Sequence, residues 1–117
     1  MNYSHDKGYR AEAAVEALMR TLDPTCYRPR AGSHRDVGDI AGVPLVISVK
    51  DHARLALASW VDDLAGMVAN TNNLVTGVVW HKRSGRADPL NWYVTTTGRL
   101  FVPLFEAWCH ERDRMEA

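Results

Sequence analysis

The 117 residues are enough for one domain with a buried core, spanning 1–117, and small enough that a long polymeric substrate calls for a second subunit. The 14 Lys plus Arg balance 14 Asp plus Glu, which excludes a uniformly basic nucleic-acid coat and leaves phosphate contact to local clusters. Cys26 and Cys109 have no metal-ligand spacing and no disulfide framework around them, and no apolar run is long enough to cross a bilayer, so an intracellular, cytoplasmic protein without a membrane partner is expected.

Met1–Asp6 is polar and expected to be loose. From Lys7 the apolar residues Ala11, Val15, Leu18, Met19 and Leu22 recur at helical spacing, until Asp23-Pro24 ends the pattern because proline cannot donate the next helical bond. Glu12 and Glu16 are four apart and therefore stack beside that stripe; on pattern alone they read as solvated helix acids. Cys26–Arg30 reads as a strand that Pro29 puts near an edge or an end, and residues 31–35 as a loop. Arg28, Arg30, His34 and Arg35 follow one another there with no acid between them, a patch suited to phosphate contact unless it is only a solvated loop.

The most informative stretch is Gly38–Asp51. Two short strands joined by an Ala41-Gly42 turn are expected, the second being the β-branched run Leu45–Val49. Strand alternation puts Val46, Ser48 and Lys50 on one face and Leu45, Ile47, Val49 and Asp51 on the other. Antiparallel pairing of the two strands would bring Asp39 beside Ser48 and Lys50. An aspartate, a strand-borne oxygen and a lysine converging in this way suit a Mg²⁺ site for phosphodiester cleavage, with hard oxygens on the metal and the ammonium orienting a water. Asp36 is the nearest spare acid, separated from Asp39 by Val37-Gly38.

A second helix is expected over Leu57–Asn70, with Leu57, Trp60, Val61, Leu64, Met67 and Val68 as its core stripe, closed by Thr71-Asn72-Asn73. Leu74–Trp80 then reads as a buried strand parallel to Leu45–Val49 through a right-handed crossover. The basic turn His81–Arg86, with Lys82, Arg83 and Arg86, precedes a hairpin partner at Asn91–Thr96; it fits either a phosphate backbone or a charged, solubilising edge. Thr97 can cap a last helix carrying Leu100, Phe101, Leu104, Phe105 and Trp108, in which Pro103 marks a kink or the first turn, and Glu111–Ala117 is expected to fray.

Four pieces in this order carry a family likeness: Lys7-Gly8-Tyr9-Arg10-Ala11-Glu12 on the first helix, Arg30-Ala31-Gly32-Ser33, Asp39, and Ser48-Val49-Lys50 after a hairpin. Over roughly residues 5 to 97 the chain resembles the PD-(D/E)XK nuclease superfamily, closest to Holliday-junction-resolvase-like enzymes of archaea and phages. The resemblance implies an α/β restriction-endonuclease-like core, a mixed sheet flanked by helices in the order αβββαββα. It also implies an Mg²⁺-dependent (or Mn²⁺-dependent) endonuclease, a hydrolase of DNA recombination that cuts branched DNA as a homodimer. On this reading Glu12, Asp39, Ser48 and Lys50 are catalytic, and Asp39, Glu12 and the backbone carbonyl of Val49 hold the metal. Arg28, Arg30, Ser33, His34, Arg35, Lys82, Arg83 and Arg86 contact DNA. The chain departs from the family where the second metal-binding acid is Ser48, a neutral hydroxyl that weakens metal affinity unless Glu12 or Glu16 takes over the ligand role. The alternative is a non-catalytic DNA-binding module of the same fold.

Overall fold

A three-stranded mixed sheet with helices on both faces organises the chain, of which the computed structural model describes residues 3–29 and 36–117. The elements in order are helix α1 (Tyr3–Leu22), strand β1 (Val46–Lys50), helix α2 (Leu57–Asn70), strand β2 (Gly77–His81), a single 3-10 turn (Pro89–Asn91), strand β3 (Tyr93–Thr95) and helix α3 (Gly98–Glu116). β1 and β2 are parallel, with Val46 opposite Gly77 and Lys50 opposite His81, as the crossover through α2 requires. β3 returns antiparallel on the other side of β2, with His81 opposite Tyr93.

The period-2 alternation of β1 divides the core in two. Ile47 and Val49 face α1 and pack with Ala11, Val15, Cys26, Ile40, Val78 and Trp92. Val46 faces the other way, joining Val79 to Trp60, Leu64 and Met67 of α2 and Leu100 of α3. Each such buried side chain contributes about 1.5–3 kcal/mol, so both layers are needed to hold β1 in place. The α2 layer lies close: a Cβ on Gly77 would stand 2.9 Å from the Val46 carbonyl oxygen and 3.0 Å from Leu64 Cδ1.

Several expected elements come out differently. The strands expected at Cys26–Arg30 and around Asp39 are reduced to two isolated antiparallel bridges, Tyr27 with Ala41 and Ile40 with Ile47, so the described order is αβαββα rather than αβββαββα. Gly38 and Gly42, at φ 101° and 81°, bend this segment on either side of Ile40. At Asp39 the pairing is half backbone and half side chain: its N–H bonds the Ile47 carbonyl at 2.8 Å, while its Oδ2 accepts the Val49 N–H at 2.6 Å where a strand carbonyl would otherwise sit. Helix α1 begins at Tyr3 rather than Lys7. Helix α3 runs to Glu116 instead of fraying from Glu111, with an ion pair between Arg114 and Glu111. Thr97 caps it, its hydroxyl accepting from the Leu100 N–H at 3.4 Å, and Pro103 lies inside it. Among the described residues no helix is long and apolar enough to cross a membrane.

Candidate active site

Three distant stretches supply one cleft of about 500 Å³ between α1, the bent Asp36–Asp39 segment and the end of β1. Helix α1 brings Glu12, one position beyond buried Ala11, to the sheet surface. Asp39 arrives through the Gly38 bend, its own N–H bonded to the Ile47 carbonyl at 2.8 Å and its carboxylate to Val49 N–H. β1 contributes Ser48 and, at its end, Lys50. Glu12, Asp39, Ser48 and Lys50 thus line a common wall.

The electrostatics of that wall are those of an acid pair short of positive charge. Burial first, then repulsion by Asp39, pushes the Glu12 carboxyl from its ordinary 4.5 to about 7; Arg28 and Lys50 pull it back only in part. Burial also raises Asp39, against the Val49 N–H and Lys50, with Asp36 adding further repulsion. A hydrogen bond between the two carboxyls favours the proton on Glu12, raising it while lowering Asp39. A cation would relieve the same repulsion.

The donor set fits a hard divalent ion of the Mg²⁺ type, which takes one or two carboxylates and keeps several waters. The Ile47 carbonyl and the Val49 N–H both point to the edge of β1 away from β2, where Asp39 sits. By the same backbone alternation the Val49 carbonyl points to that edge. Ser48 is 1 % exposed and its Oγ has no hydrogen-bond partner, an orphaned hard oxygen in the cleft lining. Among the described residues no group of three or more His, Cys, Asp or Glu side chains is placed to hold a metal ion, so the cleft offers a carboxylate pair rather than three acids.

The other expected site residues divide. Arg30, Ser33, His34 and Arg35 lie outside the described residues. Arg28 is turned onto α1, with its Nε 3.2 Å from Glu16 and its guanidinium 4.1 Å over the Tyr9 ring. Glu16 is thereby engaged by Arg28 and also by Arg20 at 3.4 Å, and does not line the acid cleft. Lys82 and Arg83 border a second cleft, whereas Arg86 is exposed on the turn beyond it. Asp36 does line the acid cleft, its Oδ1 accepting from Gly38 N–H at 3.1 Å.

Several cleft residues were given no site role in the sequence reading. Lys7 and Asp51 pair at 3.4 Å where the two clefts meet, and His52 lines both. Asp51 on the face opposite Ser48 is the signal that was available, since α1 covers that face. His81 and Tyr93 carried no signal, because nothing in their spacing ties position 93 to positions 52 and 81.

Compared with family models, curated proteins and solved structures, the chain finds no match.

Proposed function

We propose that this protein is a metal-dependent endodeoxyribonuclease of the PD-(D/E)XK kind, hydrolysing phosphodiester bonds in branched DNA such as Holliday junctions. The observation that carries this reading is the meeting of Glu12, Asp39 and Lys50 in one cleft, from a helix, a bent loop and a strand end, with both acids pushed up by burial, Glu12 further by Asp39 and Asp39 further by Asp36. Asp39, Glu12 and the Val49 carbonyl would hold Mg²⁺ or Mn²⁺. A bound ion supplies Lewis-acid stabilisation of the phosphate charge and a water made more acidic. Lys50 orients the attacking water and offsets the charge that develops on the phosphate oxygens. Asp36 adds negative field without needing to touch the ion. DNA approaches along the cationic side formed by Lys82 and Arg83, which have no carboxylate partner within 4 Å among the described residues. Two scissile strands related by a two-fold axis suit a homodimer with two such clefts.

Ser48 favours a second reading, a DNA-binding module of the same fold without catalysis. A hydroxyl cancels none of the ion's charge, and the carboxylate pair alone gives a weaker site than three acids. One experiment separates the two. Labelled junction, duplex and single-stranded DNA are incubated with and without Mg²⁺ or Mn²⁺, using wild type and Asp39→Asn. Nicks that need the ion and vanish in Asp39→Asn, with junction binding retained, establish the nuclease. Salt-sensitive binding with no nicks under any ion establishes the module.

A further inference from the structure

The second cleft, of about 580 Å³, adjoins the acid cleft through Lys7, Asp51 and His52 and runs toward the β2–β3 turn. Its lining is aromatic as well as cationic. Four rings form a ladder, His52 to Trp60 to His81 to Tyr93, with centroids 5.6, 5.4 and 5.7 Å apart and neighbouring planes tilted by 40° to 57°. The inner two are buried, Trp60 at 6 % and His81 at 3 % exposure, and the outer two are open, with Tyr93 at 53 %. Buried rings thus brace exposed ones, so His52 and Tyr93 face the cleft as supported platforms rather than free side chains. Arg83 is fixed as well. Its guanidinium lies 4.6 Å over the Tyr93 ring and donates to the Asn91 carbonyl at 3.0 Å, leaving a flat cation at the cleft rim. His81 holds Thr95 Oγ1 at 2.7 Å through Nε2, while its buried Nδ1 has no partner.

A duplex backbone needs cations and has no use for braced rings; an unpaired base uses both, stacking on an aromatic or guanidinium face while its phosphate meets Lys82 and Arg83. The cleft volume is that of a site for a small molecule or a single nucleotide rather than a double helix. Building on the nuclease reading, we propose that this cleft is a nucleotide subsite that takes an unpaired base next to the scissile phosphate, stacked on the Arg83–Tyr93 pair with His52 at its edge. Such a subsite selects substrates whose branch point can release a base and discriminates against continuous duplex.

The test measures binding in EDTA, so that it does not depend on cleavage. Oligothymidylate and a fully paired duplex are titrated into wild type, Tyr93→Ala, Tyr93→Phe and His52→Ala, each checked for folding by circular dichroism. Tyr93→Ala should bind oligothymidylate about tenfold more weakly, the change given by ~1.4 kcal/mol of lost stacking, while Tyr93→Phe stays near wild type and duplex affinity does not move. Irradiation of a complex with 5-iododeoxyuridine at the branch should cross-link peptides carrying Tyr93 or His52. Unchanged oligothymidylate affinity in both alanine variants, or cross-links confined to other peptides, overturns the subsite even if Mg²⁺-dependent nicking is intact. Stacking-dependent binding without nicking upholds the subsite and removes the nuclease.

Discussion

At the scale of single residues, Glu12 and Ser48 decide what the acid cleft can do. A carboxyl raised from 4.5 to about 7 binds its proton more tightly in the folded chain than in the unfolded one. Its contribution to stability is therefore complete below about pH 4.5 and is lost as pH rises through about 7. In EDTA, Glu12→Gln should flatten that part of the pH–stability curve and raise stability at pH 8 by on the order of 1 kcal/mol, after allowing for water's screening of a half-exposed group. Urea titrations at pH 5 and pH 8 check this: a variant that loses as much stability as wild type between them would disconnect Glu12 from the pair. Ser48→Asp addresses the missing acid with the shorter side chain, because a position 1 % exposed beside Met67 tolerates added volume poorly. Without metal this variant should melt lower than wild type, as a third carboxylate joins the cluster. With Mg²⁺ it should recover and exceed the wild-type shift, by the linkage between ion binding and folding. Calorimetry finding weaker Mg²⁺ binding than in wild type would remove Ser48 from the metal's surroundings.

Among the elements, β1 depends on how closely α2 and β2 approach it, and glycine sets that distance. Gly77→Ala places a Cβ 2.9 Å from a backbone oxygen that cannot step aside, so a loss of about 1–3 kcal/mol is expected in chemical denaturation. Gly66 lies inside α2 with nothing within 4 Å of an added Cβ, and Gly66→Ala should gain about 0.5–1 kcal/mol from helix propensity. Opposite signs for the two alanines would confirm the packing; a neutral Gly77→Ala would contradict it. These elements also show which parts of the fold were legible in the sequence. Helix α2 was readable at both ends because its apolar stripe is continuous and Thr71 closes it, and Thr97 announced the start of α3. Asp39, Ser48 and Lys50 were legible together from strand pairing and alternation, whereas Glu12, on a helix, was tied to them only by the family resemblance. The strands before β1 were not readable as bridges, since two glycines at positive φ and an aspartate replacing a backbone partner leave the apolar pattern unchanged. The aromatic ladder was not readable at all, because its rings come from a loop, a helix and two strands.

For the whole molecule, the question is what covers α3. Its inner side is accounted for: Leu100 is buried, Leu104 packs against the α1 layer, and the Leu100 carbonyl accepts from the Thr76 hydroxyl. Its outer side carries Phe101, Phe105, Trp108 and Met115, all between 51 % and 69 % exposed, at steps of four, three and seven residues. That is the repeat of a two-helix seam, with Arg112 at the remaining position and Glu111 and Asp113 beside it. With full side-chain areas of ~150–250 Å² for the aromatics, the stripe leaves on the order of 400 Å² of apolar surface open, the size of patch that is often functional. The homodimer proposed above would cover this stripe with a second copy of the chain. An antiparallel α3 pair would be two-fold symmetric and would supply the symmetry that the proposed cutting of two scissile strands calls for. Phe105→Glu combined with Trp108→Glu should leave the α1 and α2 layers folded, since neither side chain enters them. Sedimentation should then move from dimer to monomer, and paired cuts on a junction should give way to single unlinked nicks. A wild-type chain that sediments as a monomer at the concentrations used for cleavage, or a double variant that still sediments as a dimer, would take α3 out of the interface.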